Sequence, residues 1–201
     1  MARSYKLIPV LMLFILAGFT LAYTQMSSKT WDIDRSHSSV NFEIKHFFTK
    51  VPGKFEEFDA DITFDPENLE ESSISATIQA VSVNTEHERR DGDLRGDSFF
   101  DVENYPTITF VSSSIESTGE NEFVAHGTLT VKDVSKEFDL PFTLLGVQDH
   151  PFREGQQIAG ISSEFTIKRN DYNIGTGNWV TDAILSYDVD VAINLELRAD
   201  K

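Results

Sequence analysis

The chain has 201 residues, with 33 Asp and Glu against 17 Lys and Arg and no Cys. That length suits one domain with a sizeable core. A formal charge of -16 argues against nucleic acid and anionic lipid surfaces as electrostatic partners, and without thiols the fold is held by burial, not disulfides.

Arg3 and Lys6 precede an apolar run from Leu7 to Leu16, and Thr20-Leu21-Ala22 supplies small residues at a cleavage position. This is the anatomy of a secretory signal peptide. A retained anchor is the competing reading, but Leu7 to Ala22 falls short of the ~20 residues a spanning helix needs. Residues 1–22 are therefore expected to leave on export, with 23–29 as a polar leader, 30–201 as the mature domain and no stable membrane insertion. Loss of two cations, Arg3 and Lys6, moves the formal charge from -16 to -18.

From Trp31 onward the chain has period two. Val40, Phe42, Ile44 and His46 share one face; so do Phe58, Ala60, Ile62 and Phe64, and then Ile74, Ala76, Ile78 and Ala80. Ile108 and Phe110 begin the second half. Phe123 to Val131, Phe138 to Leu144, Ala159 to Ile167 and Leu185 to Leu197 follow, each apolar at alternate positions. Such alternation marks strands with one buried face. About eight strands result, joined by turns such as Asp65-Pro66-Glu67-Asn68, with no helical crossovers between them. The arrangement is all-β and antiparallel, and alternation alone fits a barrel or a sandwich. The longest strand, Ile184 to Leu197, would pair across a homodimer if it lay on an accessible edge.

Two segments interrupt the strands. Thr85 to Asp97 is charged, and a short helix is expected from Thr85, with Glu88 as capping-box partner and Gly92 at its end. Asn170 to Thr181 is a Gly- and Asn-rich loop carrying Tyr172 and Trp179. Between them Asp93 to Ser112 passes from charge through Phe99-Phe100 into a strand, as the rim of an entrance would.

Catalytic signatures are absent. His87-Glu88 opens like a zincin HExxH helix, but Asp91 stands where the second His belongs, so no metal site is expected. There is no Cys and no GxSxG, and Gly175-Thr176-Gly177 is too short for a phosphate loop. No catalytic residue, cofactor or enzymatic activity is expected. The aromatic content is the better clue, with 16 Phe. Such residues form an ordinary packed core or line a tunnel for a long apolar ligand. Ala60, Ala76, Ala125, Gly127 and Ser163 on the inner rows leave room beside them. His46 continues an inner row at a strand end, either as a bonded core histidine or as a residue of the mouth.

Several stretches together resemble one family. They are Trp31-Asp32-Ile33-Asp34 with His37-Ser38, Phe42 to His46, Asp93-Leu94, Phe99-Phe100-Asp101, Tyr105-Pro106 and Phe110, Gly127 to Val131, and Lys168 to Tyr172. In order and spacing they resemble the YceI-like family of exported, lipocalin-like, polyisoprenoid-binding proteins. The resemblance implies an eight-stranded antiparallel lipocalin-like barrel, here with a short helical insertion near residues 85–97. It also implies a periplasmic location and an isoprenoid ligand, such as a polyprenyl pyrophosphate or a quinone tail. The chain reads Arg169-Asn170-Asp171-Tyr172-Asn173 where relatives commonly carry Arg-Ser-Asp-Phe-Gly, which bears on turn geometry near the pocket.

On that reading Phe42, Phe58, Phe110, Phe138, Phe165 and Tyr187 line the interior. His46, Phe99, Phe100, Tyr172 and Trp179 form the mouth. Arg89, Arg90 and Arg95 are candidates for an anionic head group, or they pair with neighbouring carboxylates. A fatty acid or its amide is the alternative ligand, and a non-binding stress-response barrel the alternative role.

Overall fold

Every strand has one apolar face to hide, and the sheet hides them all by closing on itself. The computed structural model describes residues 28–201; the expected signal peptide, and the expected leader up to residue 27, lie outside the described residues. The strands are β1 (Thr30–Ile33), β2 (Ser39–His46), β3 (Thr49–Phe55), β4 (Phe58–Thr63), β5 (Ser73–Gln79), β6 (Val83–Asn84), β7 (Thr107–Gly119), β8 (Glu122–Val131), β9 (Val134–Asp149), β10 (Gln156–Lys168) and β11 (Leu185–Asp200). One helix, α1 (Glu88–Arg95), follows β6.

Eleven strands make eight staves. β1 and β2 are two halves of one stave, since both pair with β11 on one side, while β4 and β3 flank them on the other. β3 and β4 form the next stave and β5 with β6 the third, each bent where pairing is interrupted. β7 to β11 complete the circuit as antiparallel neighbours. The result is a closed eight-stranded antiparallel barrel. β11 is bonded along both sides, to β10 and to β1 and β2, so it presents no free edge for the strand-paired dimer suggested by its length.

Three strands escape the alternation argument, because β1 and β6 are short and β3 (TKVPGKF) carries Pro, Gly and three polar residues. The helix also differs from expectation. It starts at Glu88 and is capped by His87, whose Nδ1 accepts from Arg90 N at 3.3 Å. Thr85 is drawn elsewhere: its N–H and Oγ1 both donate to Asp91, at 2.8 and 2.5 Å. Gly92 lies inside the helix, and Gly96 is the residue that ends it.

The interior has two halves. At one end Phe64, Phe123 and Phe142 form a trio with ring centroids 5.1 to 5.4 Å apart. Trp31, Ile161 and Leu197 pack around them, and the Trp31 indole donates to Phe64 O at 3.0 Å. This end is filled. The other end is hollow.

Candidate functional site

The hollow half is a cavity of about 430 Å³, within the ~300–1,000 Å³ usual for small-molecule sites. The inner rows of β2, β5, β7, β8, β9, β10 and β11 line it, and Phe110, Phe138 and Leu140 of that lining pack into the cluster that holds the aromatic trio. Phe110, Phe138 and Phe165 run along one wall, 6.5 and 5.2 Å apart. Phe42, Phe55 and Phe100 run along another, with 5.6 Å between successive rings. Gly53 makes room for the second row, because a Cβ there would overlap the Phe42 ring.

The open end is covered by α1 with the segment after it and by residues 169–184. Leu94, Phe99 and Phe100 come from the first, Tyr172, Ile174 and Trp179 from the second. Phe99 meets Trp179 at 5.7 Å and so joins the two. Of the polar groups in the lining, His46, Thr85, Arg90 and Asp93 lie at this end, while Asn41 and Thr109 lie farther along β2 and β7.

Arg169 builds the second cover. It is 3% exposed and donates only to main-chain carbonyls: Nε to Ser186 at 2.8 Å, Nη1 to Ile174 and Gly175, and Nη2 to Trp179, Thr181 and Leu185. Burial lowers its pKa from the ordinary arginine value. Gly175, at φ 80°, passes so close that any Cβ would strike the guanidinium. Asn173 adopts φ 56°, a conformation that Asn tolerates, so the turn is made without glycine.

Of the residues singled out in the sequence, Phe42, His46, Phe99, Phe100, Phe110, Phe138, Phe165, Tyr172 and Trp179 line this cavity. Phe58 does not. The bend between β3 and β4 gives the wall position to Phe55, and Phe58 packs behind it with Val40 and Val83. Tyr187 is also absent from the lining. The β11–β2 register is irregular between Leu185 and Val189, and the Tyr187 hydroxyl donates outside the row, to Val180 O at 3.2 Å.

The head-group arginines are placed otherwise than expected. Arg89 is exposed. Arg95 donates to Val81 O and Val83 O, both at 2.8 Å. Arg90 lines the mouth, but its Nε and Nη2 go to Thr85 Oγ1 and O. Two of these guanidiniums thus hang the helix on the chain before it. Arg169 was missed, though a signal existed: it continues the inner row Ala159, Ile161, Ser163, Phe165, Ile167.

Among the described residues one trio of metal-capable groups lies together, Asp34, His37 and Glu196, at the filled end. The Arg198 guanidinium already contacts Asp34 and lies 3.7 Å from Glu196, which supplies the positive charge an ion would bring.

A family model for the YceI-like domain matches residues 31–197. A relative from Salmonella arizonae, called Protein YceI, is 37% identical over 169 residues, covering 80% of this chain and 87% of the relative. The crystal structure of BcnA from Burkholderia cenocepacia superposes with a TM-score of 0.74 at 28% identity, over 82% of this chain and 99% of that one. A domain from Saccharophagus degradans, described as polyisoprenoid binding, shares the fold at a TM-score of 0.64 and 18% identity, over 85% and 99% of the two chains.

Proposed function

For a chain that belongs to the YceI-like family and carries a half-filled barrel, we propose the role of a periplasmic carrier that holds an isoprenoid lipid tail-first in the hollow half. The observation that carries this reading is the cavity itself: an apolar space backed by the cluster of the aromatic trio, with His46, Thr85, Arg90 and Asp93 at the mouth. A prenyl chain gains about 0.8 kcal/mol per buried methylene-sized unit, so the walls bind without catalytic machinery. The description of the Saccharophagus domain as polyisoprenoid binding supports the ligand class, and the signal-like N-terminus supports export.

The mouth favours a quinone-like or other uncharged head over a pyrophosphate. Arg90, Arg95 and Arg169 each donate to main-chain carbonyls, so among the described residues no cluster of uncommitted guanidiniums faces the opening. The test is native mass spectrometry of protein taken from a periplasmic extract, followed by solvent extraction. An added mass that extracts as an uncharged prenyl compound is the expected result. A fatty acyl amide would keep the site and change the ligand. No added mass, with no uptake of prenyl lipid offered in excess, would overturn the carrier role.

A further inference from the structure

Two phenylalanines stand in water beside the mouth. Phe47 and Phe48 make the turn between β2 and β3, immediately after the lining residue His46, and are 51% and 92% exposed. Phe47 adopts φ 51°, a left-handed conformation that a bulky side chain takes only under constraint and that Asn or Gly takes readily. The constraint is visible. Phe47 N–H donates to Ile184 O at 2.7 Å, and its ring meets His46 edge-on at 4.6 Å. The turn is thereby tied to the 169–184 cover, where Val180 is 59% exposed. Strained backbone that projects apolar groups into solvent is a mark of function.

Their surroundings indicate what these groups meet. They border the opening of an apolar tube, so whatever they touch is where its contents come from. Lys45 and Lys50 flank the turn; Lys50 is paired with Glu43 and Asp190, which leaves Lys45 as the cation at the level of lipid head groups. The whole chain is strongly acidic at -16, so an anionic surface would repel it while a zwitterionic one would not. We propose that Phe47 and Phe48, with Val180, form a membrane-docking rim that seats the open end of the barrel on a zwitterionic bilayer. Lipid then passes between bilayer and cavity without crossing water. The purpose of the rim rests on the carrier reading; its affinity for a bilayer does not.

The test floats the purified protein with phosphatidylcholine vesicles. The wild type is expected to rise with them, and to do so less when phosphatidylglycerol is added at low salt. The double variant Phe47→Asn/Phe48→Ser is expected to partition roughly a hundredfold more weakly, the size set by returning two phenyl rings to water. Asn suits the backbone at the first position. Phe48→Ser alone, at an almost fully exposed site, is the second variant, expected to show an intermediate loss. Uptake of farnesol from water reads the cavity separately and is expected to survive both substitutions. A wild type that stays below the vesicles, or variants that rise equally well, would overturn the rim. A concentration-dependent dimer abolished by Phe48→Ser, without flotation, would overturn it too and make a second copy the occupant. Flotation intact with no farnesol uptake by the wild type would support the rim and count against the carrier.

Discussion

Arg169 shows how much one side chain organises. Its six carbonyl acceptors lie between Ile174 and Ser186, so the guanidinium acts as the centre around which the cover is wound. Buried carbonyls that lose their donor cost about 1–3 kcal/mol each unless water replaces it. Arg169→Met is expected to lower stability by about 3 kcal/mol after such replacement, and to speed amide exchange across residues 173–185. Arg169→Lys should not restore it, because a single ammonium cannot reach acceptors that a planar fork spans. Denaturant titration and hydrogen exchange check both; unchanged exchange in the cover would refute the account. The position was legible by parity. The role was not, because period-two reasoning expects an inward cation to meet an anion, and here the partners are carbonyls from a loop whose path the alternation cannot give.

Among the elements, β3 carries the clearest lesson. Pro52 and Gly53 conceal it, yet Gly53 is there because the Phe42 ring lies across it. Gly53→Ala is expected to push that ring into the cavity, lowering stability by about 1–2 kcal/mol and weakening prenyl uptake; an unfolding midpoint together with a ligand-retention assay measures both. Retention equal to that of wild type would mean the ring finds room elsewhere. The eight long apolar rows were legible because each buries one face, and they fix the barrel's inner wall. The short strands β1 and β6 were not, since four and two residues carry too little periodicity to register. The helix was displaced from its expected start because buried Asp91 takes both donors of Thr85, leaving His87 to cap. Phe58 and Tyr187 left the expected lining for a related reason: a bend and a register irregularity interrupt the rows on which they were counted.

At the scale of the molecule, the filled end holds the polar cluster of Asp34, His37, Glu196 and Arg198. Bonding to Asp34, with the charges of Asp34 and Glu196, raises the His37 pKa above its ordinary 6.5. Bonds from Ser36 and His37 hold the Asp34 carboxyl well below the usual carboxylate range. The imidazolium therefore stabilises the fold below the unfolded histidine value, and that contribution fades as pH rises through the raised folded value. Compared with His37→Gln, the wild type should show its largest advantage near about pH 5–6, with the gap closing toward alkaline pH. Thermal midpoints across that range decide it; a constant gap would show that the histidine acts by packing alone. The trio of rings above this cluster has a different consequence. On the carrier reading proposed above, a tube stopped at one end offers one door, so a guest that enters tail first leaves head leading and tail last. On that same reading, delivery to an acceptor would happen face to face at that door. Release becomes a one-step escape whose rate depends on how much tail is inside, and lengthening the guest should slow its departure geometrically rather than in proportion.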